Sequence, residues 1–193
     1  MTKPLESTLA KPTNCPTDGV HLFAVAEWVA EQPGIDKHRI GLFGLSQGGW
    51  IVPLAANKTE LISYSVILSG PVASLGQEKL FSNLAGDEKR DSAKTLEEVD
   101  QAMEEFSGAH GFDSSEEIER MEIPSFWLFG ENDRSMPVQI SLRNLDRIIQ
   151  EGDKTNFTYK VYPNADHSLY DVNTAARLDY ITDIKNWVSR AFK

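Results

Sequence analysis

Three apolar runs with helical patterns between them constrain this chain more than any other feature. They are Arg39–Leu45, Tyr64–Ser69 and Ser125–Gly130. Tyr64–Ser69 is almost continuously apolar, the pattern of a strand buried on both faces of a parallel sheet. A fourth run, Phe157–Tyr162, alternates. Helical patterns lie between and after them. Thr17-Asp18-Gly19 offers a cap, followed at helical spacing by Val20, Phe23, Ala24 and Trp28, and Pro33-Gly34 stops that helix. Further helices are predicted from about Gln47 to Asn57, over Val138–Gln150, and over Thr174–Phe192, where Ala176, Tyr180, Ile184 and Trp187–Val188 recur. Pro53 predicts a kink or a loosened turn in the second. Strand–helix alternation argues an α/β fold with a mostly parallel sheet flanked by helices.

The chain has 193 residues, enough for one domain with a real core. Residues 1–17 hold Pro4, Pro12 and Pro16 and many hydroxyl side chains, and read as an irregular arm. Residues 18–193 form the core unit. Inside it no strand is expected between Gly70 and Glu122, which is too long for a plain crossover. Residues 71–122 therefore read as an insertion, a helical cap over one end of the sheet, with amphipathic helix around Leu96, Val99, Met103 and Phe106. Asp87–Asp91 reads as a solvated face. Trp50 and Trp127 read as core or pocket wall, and Trp28 and Trp187 as packing helices onto the sheet. The sequence shows no internal repeat.

Gly44-Leu45-Ser46-Gln47-Gly48 fits G-x-S-x-G between a predicted strand and a predicted helix, the context that motif needs. A tight turn there strains the serine backbone and lifts the hydroxyl clear of the sheet. Side chains at the two flanking positions are expected to clash, which explains both glycines, and Gly49 adds room. The helix that follows points its N-terminal N–H groups at the site, where they stabilise an oxyanion. A serine hydroxyl needs a base, and the base needs an orienting acid. His21, His38 and His110 read as solvated side chains. His167 follows the fourth strand, in a loop at the same sheet end as Ser46. Asp133 and Glu131 both follow the third strand and both qualify as the acid. Asp166 is adjacent to His167 and cannot easily fold back onto its ring. The order Ser, Asp, His along the chain is that of the α/β-hydrolases.

On these segments the chain resembles the C-terminal part of an α/β-hydrolase. The matching stretches are Ile35–Trp50, Ile67–Pro71, Leu128–Pro137 and Tyr162–His167. The resemblance is strongest to the esterase and dienelactone-hydrolase-like branch, and extends to the serine aminopeptidase and prolyl oligopeptidase catalytic domains. It implies a serine hydrolase cleaving carboxylic esters of small acyl substrates through Ser46, Asp133 and His167, without metal or organic cofactor. It selects Asp133 over Glu131 as the acid and assigns the first oxyanion donor to the backbone N–H of Gln47. A peptidase or thioesterase of the same fold, or a silent binding module, is the alternative. The family places several strands before the first helix here, one of which pairs with the nucleophile strand and carries a second oxyanion donor. No such loop is legible before residue 18. Loss of one oxyanion donor costs about 10²–10³ in rate. The unpartnered strand also implies self-association as a two-fold dimer through the sheet edge.

Composition narrows the partners. Lys plus Arg number 19 and Asp plus Glu 29, a net charge of −10, which disfavours nucleic acid and anionic membrane surfaces. No apolar run approaches the roughly 20 residues of a spanning helix. One cysteine excludes an internal disulfide framework and a cysteine-based zinc site. Met1–Leu5 lacks the apolar stretch of a signal peptide, so the cytoplasm is the expected compartment. A metal site at His167, Asp133 and Asp166 is a weaker reading than a triad.

Overall fold

The computed structural model describes residues 15–86 and 94–192. The expected arm up to residue 14 and the charged run Asp87–Asp91 lie outside the described residues. Four strands, β1 (Ile40–Leu45), β2 (Ile62–Leu68), β3 (Ser125–Gly130) and β4 (Phe157–Tyr162), pair in the order β1-β2-β3-β4, all parallel. Every strand therefore presents its carboxyl end on the same side, where ligands of open α/β sheets bind. Seven helices complete the described chain: α1 (Cys15–Ala30), α2 (Gly48–Ala56), α3 (Leu75–Ala85), α4 (Leu96–Glu104), α5 (Ser115–Arg120), α6 (Val138–Glu151) and α7 (Tyr180–Ala191).

Both faces of the sheet are covered, as the apolar runs require. On one face Ile40, Leu42, Ile67, Trp127 and Phe129 pack with Ala26 of α1, Val52 of α2, Ile118 of α5 and Leu145 of α6. On the other, Val66, Leu68, Phe126 and Leu128 meet Trp187 of α7, which stacks on Phe126 at 5.3 Å. The segment 71–122 contributes in two ways. Phe81 and Ala85 of α3 and Val99 and Met103 of α4 form a third cluster with Ile140 of α6. Ile118 and the adjacent Met121 belong instead to the main core.

Several sequence expectations are corrected. Helix α1 starts at Cys15, not after Thr17-Asp18-Gly19. Pro16 sits in its first turn, where a missing N–H costs nothing, and Asp18 complements the helix dipole there. Its inward side is Leu22, Ala26, Val29 and Ala30, whereas Val20 and Trp28 are exposed. Trp28 therefore does not pack α1 onto the sheet. The helix predicted from Thr174 begins only at Tyr180, where the Asp179 carboxylate accepts from the Thr182 N–H. Upstream, the Asp171 carboxylate takes the N–H groups of Asn173 and Thr174 and folds that stretch into a turn. Helix α3 was unforeseen. It is announced by a capping box in which Ser74 and Gln77 satisfy each other's N–H groups.

Strand β1 stands at the sheet edge, paired only with β2 among the described residues. Phe43 and Leu45, opposite Val66 and Leu68, are 57% and 51% exposed. An open edge with apolar side chains is a pairing template. The expected outcome is concentration-dependent self-association through this edge, weakened by Phe43→Lys. Light scattering across a dilution series checks it, and a monomer at every concentration would count against it.

Candidate active site

Ser46 follows β1 directly, with φ at +54°, a strained value for a residue with a Cβ. Its N–H donates to the Leu68 carbonyl at 3.0 Å, so the turn is tied to the end of β2. A Cβ at Gly44 would come within 2.9 Å of the Gly48 Cα, so that flanking glycine is sterically required. The expectation fails at Gly48, where a Cβ would meet nothing within 4 Å. It fails differently at Gly49, which makes no room for the serine. A Cβ there would lie 2.7 Å from Gly70, so Gly49 lets α2 settle onto the backbone leaving β2. Pro53 cannot donate to the Gly49 carbonyl one turn back. The buried Ser114 hydroxyl donates to that carbonyl instead, at 3.4 Å. Gln47 caps α2, and its own N–H has no backbone acceptor among the described residues. Four of the first helical turn's N–H groups lack internal partners in any α-helix, so an oxyanion at Ser46 meets donors rather than acceptors.

The acid loop leaves β3 through Gly130. A Cβ on Gly130 would lie 2.2 Å from the Asp166 carbonyl oxygen, so only glycine lets the histidine loop pass this close. The N–H of Asn132 donates to the Ala165 carbonyl at 2.8 Å and that of Glu131 to Tyr162 at 3.0 Å, which locks the two loops together. Across this seam His167 Nδ1 meets Asp133 Oδ2 at 2.6 Å. Asp133 is 1% exposed, and its other oxygen accepts from the N–H groups of Ser135 and Met136. A carboxylate with two backbone donors on one oxygen can only accept on the other. Nδ1 therefore carries the proton and Nε2 presents its lone pair.

The two rival acids do other work. Asp166 accepts from the N–H groups of Ser168 and Tyr170 and shapes the histidine loop, and Glu131 accepts from the Asn164 N–H at 3.3 Å. Asp133 and His167 are thus brought together. Among the described residues no hydrogen bond joins Ser46 to His167. Catalytic contacts of this kind are often long before substrate binds. His21, His38 and His110 are exposed, though His110 Nδ1 lies 3.0 Å from the Ser74 hydroxyl. No group of three metal-ligating side chains occurs among the described residues.

Two features were missed from sequence. Arg134 donates from its guanidinium to the carbonyls of Ala85 and Lys94, tying the end of α3 and the approach to α4 to the acid loop. Glu78, in the first turn of α3, is half-buried and interacts electrostatically with both His167 and Asp133. Finding α3 through its capping box would have led to it. A cleft of about 400 Å³ behind Asp133, walled by Phe81, Leu96, Asp100 and Val138, reaches neither Ser46 nor His167 and is not an acyl pocket.

Burial alone pushes the His167 imidazole toward its neutral form. The Asp133 hydrogen bond and charge, helped by Asp166 and Glu78, outweigh it and raise the pKa above the ordinary histidine value. A general base must be neutral to accept a proton, so a raised pKa leaves less of it competent at a given pH. The acid limb of kcat/KM for a neutral ester is therefore expected above about 6.5. A pH–rate profile checks this, and a limb at or below that value would contradict it.

Comparison with known proteins agrees with this architecture. The family model of the prolyl oligopeptidase family matches residues 13–193. None of the curated proteins matches the chain. Among solved structures, an esterase of Pyrococcus furiosus superposes with a TM-score of 0.62 at 16% identity, covering 89% of this chain and 61% of that one. A puromycin-hydrolyzing peptidase of Mycobacterium tuberculosis gives 0.60 at 17%, covering 90% and 25%. Dipeptidyl peptidase 4 of Porphyromonas gingivalis gives 0.59 at 16%, covering 91% and 22%. The chain thus has the α/β-hydrolase fold and spans about a quarter to three-fifths of the length of these proteins. No described helix is long and apolar enough to cross a membrane.

Proposed function

Because the chain belongs to the prolyl oligopeptidase family, we propose that it is a serine hydrolase cleaving carboxylic acyl bonds of small substrates, esters first. The observation that carries this reading is the buried Asp133 bound to His167 Nδ1 at 2.6 Å, at the same sheet end as the strained Ser46. Ser46 Oγ attacks the carbonyl carbon while His167 Nε2 takes its proton. The tetrahedral oxyanion lies toward the Gln47 N–H. The imidazolium, held by Asp133, then protonates the leaving alcohol, and an acyl-Ser46 ester remains. Water, deprotonated by the same imidazole, hydrolyses it and returns the serine proton.

The family and its peptidase neighbours favour a second reading, in which the bond cut is a peptide. Both share the same acyl-enzyme. Labelling by a fluorophosphonate probe tests the common step. Wild-type protein should be labelled at Ser46 and Ser46→Ala should not. Absence of labelling on folded wild-type protein would leave the silent binding module as the reading.

A further inference from the structure

Resting on the serine-hydrolase reading, we propose that Ser114 is a positioning residue for the nucleophile turn. Its hydroxyl, donated to the Gly49 carbonyl, holds the first turn of α2 so that the Gln47 N–H faces the oxyanion.

The need for this hydroxyl arises within α2. In an α-helix the Gly49 carbonyl would accept from the N–H of residue 53. That residue is Pro53, which has none. Gly49 is buried, and a buried carbonyl left without a donor destabilises by more than a made bond contributes. Ser114, 1% exposed, supplies the missing donor at 3.4 Å. Its own helix does not use the side chain. Ser114 stands at the N-cap of α5, where a serine ordinarily accepts from the first N–H groups, yet its hydroxyl makes no capping bond. The Asp113 carboxylate serves that turn instead, accepting from the N–H and the hydroxyl of Ser115 at 2.9 and 2.6 Å.

Neighbouring contacts extend the brace along α2. Two residues before Ser114, Phe112 meets the Trp50 ring edge-on at 6.2 Å. Three residues after it, the Glu117 carbonyl accepts from the side-chain amide of Asn57, the C-cap of α2, at 2.8 Å. The end of the inserted segment thus lies against the nucleophile helix from first turn to cap. At the reacting end the Gly49 N–H donates to the Ser46 carbonyl at 2.9 Å. Gly49 is therefore fastened to the nucleophile through its N–H and to Ser114 through its carbonyl. Gln47 and Gly48 lie between Ser46 and Gly49. A Cβ at Gly48 would meet nothing within 4 Å, so side-chain packing does not fix the backbone there. Without the Ser114 hydroxyl the turn can tilt at the Pro53 break. The Gln47 N–H then loses its aim at an atom that carries charge only in the transition state.

Four proteins form the test: wild type, Ser114→Ala, Pro53→Ala and the double variant. Alanine at position 53 restores an N–H one turn beyond Gly49 and makes the hydroxyl redundant. On p-nitrophenyl acetate, Ser114→Ala should lose about 10–100-fold in kcat with KM within about twofold of wild type, because an oxyanion donor acts in the transition state. Fluorophosphonate labelling of Ser46 should slow to a similar extent. Pro53→Ala and the double variant should both stay within about threefold of wild type. If Ser114 served only packing or the capping of α5, a new N–H in α2 would not repair the loss. A double variant as slow as Ser114→Ala therefore overturns the proposal. So does an unchanged kcat in Ser114→Ala, or a loss that falls on KM. Where Ser114→Ala does not fold, Pro53→Ala against the double variant decides. Equal kcat is expected, and a tenfold gap or an unfolded double variant overturns the proposal. If wild-type protein takes up no fluorophosphonate, the hydrolase reading itself fails, and this proposal with it. If it is labelled at Ser46 but the four rates depart from this pattern, only the role of Ser114 fails.

Discussion

Ser46→Ala is expected to lower ester hydrolysis by about 10⁴–10⁶-fold while leaving the fold intact. The size follows from the chemistry: without Oγ there is no acyl-enzyme, and only the oxyanion donors and binding remain. The intact fold follows from the geometry. Ser46 is partly exposed and its hydroxyl makes no hydrogen bond among the described residues. Its backbone ties, through the Leu68 and Gly49 contacts, survive removal of Oγ. The φ of +54° makes a second substitution informative. Ser46→Gly removes the same nucleophile and relieves a left-handed Cβ worth about 1 kcal/mol. It should be as inactive as the alanine variant yet melt higher. Turnover of p-nitrophenyl acetate and thermal unfolding of both variants check the pair. Full residual activity in either would mean that Ser46 is not the nucleophile.

How much of this was legible before the structure differed by element. Strands β3 and β4 were read to the residue, because a continuous apolar run and a strict alternation have no helical alternative of that length. Helix α1 was found but its buried side was not. It is apolar nearly all round, so periodicity alone could not separate Leu22 and Ala26 from Val20 and Trp28. The stretch 174–179 carried helical spacing in Ala176 and Tyr180 but was decided locally by the carboxylates of Asp171 and Asp179. In the candidate site, Ser46 was read from the G-x-S-x-G motif between a strand and a helix, and His167 from its loop after the fourth strand. The acid was narrowed to Asp133 only by resemblance, because two acids share one loop. What separates them is a backbone contact between loops distant in sequence. The Gly130–Asp166 approach is such a contact. Glu78 was illegible for the same reason, since its meaning depends on where α3 docks.

The same separation of acids yields the second large effect. Asp133→Asn is expected to lower kcat by up to about 10⁴-fold, with little change in KM. The mechanism is tautomeric. An asparagine that presents its amide N–H to Nδ1 stabilises the ring form with the proton on Nε2, which cannot accept from Ser46. The Ser135 and Met136 N–H groups favour this orientation, because both point at the oxygen opposite His167 and will hold the amide carbonyl there. The variant should therefore keep its loop and lose its chemistry. Glu131→Gln is the internal control. Glu131 is exposed, among the described residues it accepts only from the Asn164 N–H, at 3.3 Å, and an amide oxygen serves that bond as well. Activity within about threefold of wild type is expected, since surface substitutions of this kind are worth roughly ±0.5 kcal/mol. Asp166→Asn tests the remaining acid. Its oxygen holds the N–H groups of Ser168 and Tyr170 and so sets the position of the His167 loop. An amide oxygen can take over both bonds, so the expected loss is far smaller than that of Asp133→Asn. Steady-state kinetics on the three variants decide the matter: equal losses in Asp133→Asn and Glu131→Gln would show that neither alone orients the imidazole.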